Sequence, residues 1–196
     1  MNPSLRLFVA LELPHTIKNA LAGYVAPLQQ LGRGVRWVKP ENVHLTLKFL
    51  GDTPNAKLTA IQSTLAAMCG DFAPLAIEVA GAGVFPNARR PQVLWVGLND
   101  ASGQLGKLAQ EIDARLHQLG FPRETRPFSP HVTIGRVRDA RIDALVKEML
   151  EHPFPPHKMI CPECTLMRSE LQRDGSIYTP VQKFVLSKRT NEELNI

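Results

Sequence analysis

The sequence predicts an α+β fold built from two similar halves that a pseudo-twofold axis relates within one chain. The same order of predicted elements occurs twice along the 196 residues: strand, helix, strand, helix and then extended strands. A His-x-Thr triplet also occurs once in each half, and its histidines, His44 and His131, lie 87 positions apart. We therefore expect a single domain over residues 1–196, with approximate repeats at 5–90 and 92–190. A coincidence between ordinary α+β patterns is the alternative.

Each half begins with a short apolar strand that is followed by a helix. The strands are predicted at 7–11 and 94–98, and the helices at 15–31 and 102–119. Apolar residues spaced three and four apart are typical of a helix that packs one face on a core. Both helices end in a Leu-Gly pair, where a glycine suits a left-handed cap. The two glycines are Gly32 and Gly120.

The remaining elements follow in the same order in both halves. They are the H-x-T strands 44–50 and 131–137, an aspartate after each strand (Asp52 and Asp139), the helices 56–68 and 142–150, and extended stretches that include 75–80 and 179–186. A repeat of this length exceeds the roughly 20–50 residues of solenoid and propeller units, which excludes those architectures.

Composition and charge indicate a folded protein with a preference for anionic partners. Hydrophobic residues make up 44% of the chain and charged residues 21%, which argues against disorder. The formal net charge of +5 favours a polyanion such as a nucleic acid. Three cysteines do not make a disulfide framework, and no segment reaches the roughly 20 apolar residues of a membrane span. We expect a cytoplasmic monomer, because the internal duplication leaves no evident need for a partner.

The two H-x-T triplets each present an imidazole beside a hydroxyl. Alternation along a strand places side chains i and i+2 on one face. His44 and Thr46 therefore share a face, as do His131 and Thr133, while the intervening aliphatic residues point to a core. If the pseudo-twofold axis brings the two polar faces together, one cleft contains two imidazoles and two hydroxyls.

Two imidazoles on opposite sides of a phosphorus atom suit the opening of a cyclic phosphodiester. One ring takes a proton from water and the other protonates the leaving oxygen, because an unperturbed imidazole titrates at about pH 6.5. The Thr46 and Thr133 hydroxyls can donate hydrogen bonds to the non-bridging oxygens. This chemistry requires no metal. A single H-x-T triplet is weak, and a lone strand histidine is more often structural, so the interpretation depends on the paired occurrence.

These residues resemble those of the 2H phosphoesterase superfamily, which is named for its two H-x-T motifs. The chain is particularly similar to the LigT/ThpR-type RNA 2',3'-cyclic phosphodiesterases, also called 2'-5' RNA ligases, over nearly its whole length. The similarity is found at 6–11, Trp37, 44–51, 93–97 and 128–136, and at Ser169-Glu170-Leu171 followed by Tyr178. Ile134, where many members carry leucine, is a conservative difference.

The resemblance implies a bilobal α+β fold with a V-shaped cleft between the lobes. It implies hydrolysis of RNA 2',3'-cyclic phosphates to 2'-phosphates, with O3' as the leaving oxygen, and we expect no cofactor. His44 is then the proton donor and His131 the proton acceptor, an assignment that the nearly symmetric residues alone leave open. Joining of RNA ends through a 2'-5' linkage is a further expectation.

Four further residues near the motifs are candidates for substrate contact. Arg136 fits the family's H-x-T-x-x-R pattern, although strict alternation puts it on the opposite face unless a bulge at Gly135 turns it. Lys48 lies two residues after Thr46, so strict alternation puts it on the same face as the first motif. There it either lines the cleft or extends into solvent at the end of the strand. Phe128 and Trp37 either stack on a base or pack beneath their loops.

Two other groups of residues are open to more than one interpretation. Arginines in three loops form either a basic rim that attracts RNA or ordinary solvated surface. They are Arg33 and Arg36, Arg89 and Arg90, and Arg123 and Arg126. Cys161 and Cys164 have the C-x-x-C spacing of a zinc knuckle, but structural zinc needs about four ligands and no second pair exists. We expect buried or incidental thiols there.

Two other functions would use the same cleft. One is a module that binds nucleotides or RNA ends without turnover, and the intact histidines in both motifs argue against it. The other is a 2H enzyme that acts on ADP-ribose 1'',2''-cyclic phosphate or on a small cyclic nucleotide. The positive charge of the chain favours RNA over these smaller substrates.

Overall fold

A computed structural model of the chain describes residues 4–138, 142–172 and 175–188. Asp139 and the last two positions of the second predicted repeat lie outside these ranges. The described elements are, in chain order, β1 (Ser4–Glu12), α1 (His15–Leu28), β2 (Val35–Trp37), β3 (His44–Pro54), α2 (Leu58–Cys69), β4 (Leu75–Phe85), β5 (Val93–Asn99), α3 (Gln104–Gln118), β6 (His131–Val137), α4 (Asp143–Glu151), β7 (His157–Cys161), β8 (Glu163–Gln172) and β9 (Gly175–Val185). Short 3-10 turns at Pro40–Asn42 and Asn55–Lys57 precede β3 and α2.

The strands form one antiparallel sheet in the order β7-β4-β5-β6-β3-β1-β8-β9, and β2 pairs with β6. The two H-x-T strands, β3 and β6, are central neighbours, joined by the single pair Leu45–Val132. Outward from this pair, β1 and β5 occupy matching positions, and so do β8 and β4. Each side of the sheet therefore takes strands from both predicted repeats. The α+β class is confirmed, and the repeat boundaries stay a prediction.

One face of the sheet packs against the helices and the other stays largely open. In β1, Leu7, Val9 and Leu11 belong to the main core, which also contains the buried side chains of all four helices. Phe8 and Ala10 point the other way and form a small separate cluster with Met167. Within the described ranges, no helix is both long and apolar enough to cross a membrane.

The predicted helices occur where the sequence places them, but the first ends earlier than expected. Pro27 lies in the last turn of α1, where it has no amide proton to donate. The next amides, of Gln30 and Leu31, donate to carbonyls only three residues back, so the chain tightens instead of continuing the helix. Gly120 has the predicted left-handed φ of 85°, whereas Gly32 is not among the glycines with positive φ.

Both H-x-T strands contain a β-bulge directly after the threonine. Leu47 in β3 and Ile134 in β6 have no partner in the adjacent strand, although both of their neighbours are paired. The flanking pairs are Thr46–Ala10 and Lys48–Val9 in one half, and Thr133–Trp95 and Gly135–Leu94 in the other. A bulge inserts one residue, so the side chains directly after it point to the face opposite the one that simple alternation predicts. In β3 a second unpaired residue, Leu50, reverses the alternation again.

Candidate active site

The four motif side chains lie together on the open face of the sheet. Leu45 and Val132 face each other on the core side, where both are buried. In an antiparallel register centred on this pair, His44 comes opposite Thr133 and Thr46 comes opposite His131. The two histidines are then diagonal neighbours across this pair. A phosphate group placed between them can meet one imidazole on each side.

Both histidines make the same hydrogen bond to the backbone. The Nδ1 atom of His44 lies 2.8 Å from the Asn42 carbonyl oxygen, and that of His131 lies 2.7 Å from the Ser129 carbonyl oxygen. A carbonyl only accepts, so Nδ1 carries the proton in each ring. This leaves both Nε2 atoms for substrate, as acceptors in the neutral rings and as donors in the cationic rings.

Aromatic side chains surround each imidazole, and sequence reasoning assigned most of them no role. The rings of Phe8 and Tyr178 lie 4.8 and 4.9 Å from that of His44, measured between centroids. The rings of Phe85 and Trp95 lie 4.9 and 6.3 Å from that of His131. Phe8 lies between the core residues Leu7 and Val9 of β1, so alternation along the strand already predicts that it points to the open face. Phe85 is the last residue of the longer, irregular strand β4 and gives no comparable signal.

The environment of His44 favours its neutral form. Burial lowers the pKa of His44 from 6.5 to about 4, so the ring is uncharged at neutral pH when no ligand is bound. The Asn42 carbonyl and the Glu12 carboxylate oppose this lowering of the pKa, whereas the Lys18 ammonium adds to it. The half-buried ring therefore rests as a hydrogen-bond acceptor at Nε2.

The surroundings of the two histidines differ in a carboxylate. Glu12 lies directly opposite His44 in the β1–β3 pair, and Gly97 lies opposite His131 in the β5–β6 pair. The hydroxyl of Thr165 donates to Glu12 Oε1 at 2.9 Å and holds the carboxylate in place. A carboxylate next to an imidazole favours the protonated ring. This difference breaks the near-symmetry of the site.

The prediction that Lys48 lines the cleft is wrong. The bulge at Leu47 turns Lys48 to the helix-covered face, where it is only 2% exposed. Its Nζ donates to Asp113 Oδ1 at 2.6 Å and to the Pro122 carbonyl at 2.8 Å. Although burial opposes the change, hydrogen bonds from Lys48 and from the Glu124 amide lower the pKa of the Asp113 carboxyl. Lys48 thus fastens the segment before the second motif to the strand of the first.

The bulge at Ile134 has the opposite consequence for Arg136. Arg136 pairs with Val93 and Thr133 pairs with Trp95, two residues apart on β5, so both side chains occupy the open face. The bulge anticipated at the glycine therefore occurs one residue earlier, and Arg136 is exposed. Its contact with substrate stays a prediction.

The two aromatic residues predicted to contact a base pack against the core. Trp37 lies opposite Gly135 in the β2–β6 pair, on the helix-covered face, and packs against the core, while its contact with substrate stays a prediction. Phe128 is half-buried against the same core. It precedes Ser129, whose carbonyl accepts the hydrogen bond from His131, so it supports the approach to the second motif. Stacking of a base on Phe128 stays a prediction.

Phe49 is a candidate that simple alternation hides. It pairs with Phe8 on the open face because of the bulge, and it is 64% exposed. Its ring lies 6.1 Å from that of Phe8, between centroids. Phe49 occupies in β3 the place that Arg136 occupies in β6, since both come two residues after the bulge. One end of the site therefore presents an aromatic ring and the other a guanidinium.

The remaining predicted groups are distributed around the sheet. Arg123 lies 3.3 Å from Asp113 Oδ2, measured from Nη1, and takes part in the Lys48 network. The basic rim as a whole stays a prediction. Cys161 and Cys164 are both buried, and Cys164 Sγ contacts Cys69 Sγ at 3.0 Å. The described part of the chain contains no group of three or more metal-ligating side chains. The burial of both side chains agrees with the expectation of buried thiols.

An antiparallel sheet on which two H-x-T strands meet is the architecture of the two-histidine phosphoesterases. The chain belongs to the 2'-5' RNA ligase superfamily, whose family model matches residues 17–173. The RNA 2',3'-cyclic phosphodiesterase of Methanothermobacter thermautotrophicus is 33% identical over 92% of this chain and 98% of that protein. The enzyme of the same name from Aquifex aeolicus is 35% identical over 77% of this chain and 81% of its own.

Solved structures share the fold over nearly the full length. The crystal structure of TT0787 of Thermus thermophilus superposes with a TM-score of 0.80 at 28% identity, covering 95% of this chain and 100% of the other. The crystal structure of E. coli LigT complexed with 3'-AMP gives a TM-score of 0.76 at 26% identity, over 94% of this chain and 99% of LigT.

Proposed function

We propose that this protein hydrolyses 2',3'-cyclic phosphates at RNA ends to 2'-phosphates, by metal-independent acid/base catalysis with His44 and His131. The observation that carries the proposal is the pairing of the two histidines across Leu45 and Val132, with both Nε2 atoms left for substrate. Relatives named RNA 2',3'-cyclic phosphodiesterase support the choice of substrate. The net charge of +5 suits a polyanion.

The proposed reaction is an in-line displacement at phosphorus. His131 Nε2 accepts a proton from water while the water oxygen forms a bond to phosphorus. The bond between phosphorus and O3' breaks on the opposite side, and His44 Nε2–H gives its proton to O3'. The product carries its phosphate on O2'. Exchange with solvent then returns the proton from His131 and restores that of His44.

The two threonines are proposed to bind the non-bridging oxygens of the phosphate. Thr46 and Thr133 share the open face with the histidines, and each is adjacent to a bulge that fixes the end of its motif. Their hydroxyls donate hydrogen bonds to oxygens that carry negative charge throughout the reaction. Hydrogen bonds of this charge-assisted kind are about twice as strong as neutral ones.

The proposed proton donor, His44, is neutral in the free protein, so its protonation must be linked to substrate binding. Burial lowers its pKa to about 4. A phosphate anion next to this half-buried ring stabilises the imidazolium and raises the pKa. Glu12 favours the same protonated state and Lys18 opposes it, whereas Gly97 supplies no carboxylate to His131. The assignment of His44 as the acid and His131 as the base follows the family resemblance, and the Glu12 carboxylate is the feature of the site that agrees with it.

The same geometry supports joining of RNA ends as a second outcome. If the 5'-hydroxyl of another RNA replaces the attacking water, displacement of O3' leaves the phosphate bonded to O2' and to the new O5'. This product is a 2'-5' linkage, which agrees with the name of the superfamily. Phe49, exposed at one end of the site, is a suitable surface on which a base can stack.

We further propose that the protein acts as a monomer in the cytoplasm. The three cysteines are free and buried, which suits a reducing compartment. The two H-x-T strands that complete the site come from one chain, so the proposed chemistry needs no residue from a second copy.

Turnover of adenosine 2',3'-cyclic phosphate in the presence of EDTA tests the proposal. We expect hydrolysis at an undiminished rate, because no step uses a metal. Binding without turnover would leave a nucleotide-binding module instead. Loss of activity with EDTA, or a higher kcat/KM for ADP-ribose 1'',2''-cyclic phosphate than for an RNA with a cyclic end, would contradict the mechanism or the substrate.

A further inference from the structure

We propose that Asn42 is a positioning residue for His44, because its side chain holds the β8–β9 hairpin closed over the first H-x-T strand. Asn42 makes two contacts at once. Its carbonyl oxygen lies 2.8 Å from His44 Nδ1, and its Nδ2 donates to the Ser176 carbonyl of β9 at 3.0 Å. The effect on catalysis rests on the proposed function, in which His44 is the acid.

The β8–β9 hairpin bends out of the plane of the sheet. β9 is the third strand from β3, in the order β3-β1-β8-β9. Neighbouring strands are about 4.8 Å apart, so a flat sheet would leave about 14 Å between β3 and β9, with side chains roughly perpendicular to it. The Tyr178 ring of β9 nevertheless lies 4.9 Å from the His44 ring, between centroids, and meets it edge to face. The hairpin therefore curls over the open face and covers the first motif.

Two contacts hold the start of β9 against the chain that precedes β3. The hydrogen bond from Asn42 joins residues 134 positions apart and occupies a carbonyl of an edge strand. The second contact is at Gly175, where an added Cβ atom would come within 2.9 Å of Arg36 Nη2. Tyr178 follows Ser176 by two residues on the same strand. A tie that fixes the Ser176 carbonyl therefore also fixes the Tyr178 ring.

The aromatic neighbours of His131 come from nearer strands. Phe85 and Trp95 belong to β4 and β5, the first two strands beside β6 on that side of the sheet. Ser129, which supplies the carbonyl for His131, has an exposed side chain. The hairpin is thus a feature of the first motif, and Asn42 lies at the point where it closes.

Closure of the hairpin keeps water away from His44. Burial is the largest cause that lowers the pKa of His44 to about 4, and the Tyr178 ring is part of this cover. The titratable groups on the elements around the ring are Glu12 of β1, Lys18 of α1, His131 of β6, and Tyr178 and Lys183 of β9. A substitution at Asn42 removes none of these groups, so opening of the hairpin acts on the ring through its hydration.

An NMR titration of the free protein tests this role without turnover. Asn42→Ala keeps the carbonyl that binds Nδ1 and removes the side-chain bond to β9. We expect the pKa of His44 to rise from about 4 towards its ordinary value, and nuclear Overhauser contacts between the His44 and Tyr178 rings to weaken. The ring resonances of His131 should not move. Asn19→Ala, which removes an exposed amide of α1, is the matched control and should change none of these quantities.

A double variant tests whether Asn42 acts through Tyr178. Tyr178→Leu should raise the pKa of His44 by itself, and adding Asn42→Ala should raise it little further, because both changes remove the same cover. With adenosine 2',3'-cyclic phosphate, Asn42→Ala should lower kcat about five- to tenfold, which corresponds to about one hydrogen bond. The KM should stay nearly unchanged, since Asn42 is not proposed to touch substrate.

Three results would overturn the role of Asn42. They are an unchanged His44 pKa in folded Asn42→Ala, effects of the two single variants that add in full, and equal movement of the His44 and His131 resonances, which would show a general structural role. If Asn42→Ala did not fold, hydrogen exchange in the wild-type protein would decide. The Nδ2 protons of Asn42 should exchange more slowly than those of exposed Asn19, and equal rates would contradict the bond. Absence of turnover in the wild-type protein would instead contradict the proposed function and leave the NMR result valid.

Discussion

His44 and His131 lie diagonally across the one backbone pair that joins strands β3 and β6, and each directs Nδ1 to the carbonyl two residues before it. The backbone therefore sets the tautomer of both rings without a carboxylate partner. Because each carbonyl precedes its histidine by two residues, the same strand entry that brings the ring to the face also orients it.

Replacement of either histidine by alanine should abolish hydrolysis and leave the fold intact. The expected loss in kcat is about 10²–10⁴ for each, the usual contribution of a positioned acid or base. Both rings are only partly buried, so thermal unfolding should change little. Steady-state kinetics and melting curves check this, with His152→Ala, an exposed histidine at the end of α4, as the control. Near-normal turnover in His44→Ala or His131→Ala would refute the two-histidine mechanism.

Loss of the threonine hydroxyls should weaken transition-state binding rather than remove the acid or the base. Thr46→Ala and Thr133→Ala should each lower kcat/KM by about 10- to 100-fold, as expected for a hydrogen bond to a charged group. Thr46→Ser and Thr133→Ser keep the hydroxyl and should retain most of the activity. Equal losses in the serine and alanine variants would show that the methyl group, and hence packing, matters instead.

The proton affinity of His44 should depend on bound phosphate. In the free protein burial lowers its pKa to about 4, so NMR should find the ring neutral at pH 7 and protonated only in acid. Adenosine 2'-phosphate should raise this pKa, because the anion stabilises the imidazolium. In the Glu12→Gln variant without ligand, the pKa of His44 should fall further, because the carboxylate that favours the protonated ring is lost. A His44 pKa that does not respond to the ligand would contradict the role of His44 as the substrate-linked acid.

Lys48 should matter for stability more than for substrate binding. Lys48→Met removes the 2.6 Å hydrogen bond to the Asp113 carboxylate, which keeps its bonds from Arg123 and the Glu124 amide, and should cost about 1.5–3 kcal/mol of unfolding free energy. Lys158→Met, at an exposed position of β7, should cost far less. Denaturant unfolding gives the free energies, and a double-mutant cycle with Asp113→Asn gives the coupling. Normal stability combined with a raised KM would instead indicate that Lys48 contacts substrate in the cleft.

The sequence was sufficient to predict the elements that depend on local pattern. The H-x-T strands, the four helices and the α+β class follow from alternation, helical spacing and glycine caps. The early end of α1 follows from Pro27, which lies inside the predicted helix and carries its own signal. The exchange of β4 and β8 between the two sides of the sheet is a long-range pairing, and nothing local in the sequence encodes it.

The bulges explain the errors in the candidate site. Simple alternation assigns Lys48 to the cleft and Phe49 to the core, and one unpaired residue at Leu47 reverses both. The equivalent bulge at Ile134 brings Arg136 to the face of the second motif. Gly135 gave a signal for the second bulge. Lys48 occupies the equivalent position in β3, but it gave no signal for the first bulge, because a lysine is compatible with either face at the end of a strand.

The position of the phosphate in the product tests the central claim most directly. An RNA oligonucleotide with a 2',3'-cyclic phosphate should be converted, in EDTA, to a product whose phosphorus is bonded to O2' and not to O3', as seen by ³¹P NMR. Water enriched in ¹⁸O should place one label on that phosphate, because the attacking oxygen comes from solvent. A 3'-phosphate product, or an intact cyclic end after incubation with active-site-intact protein, would contradict the account.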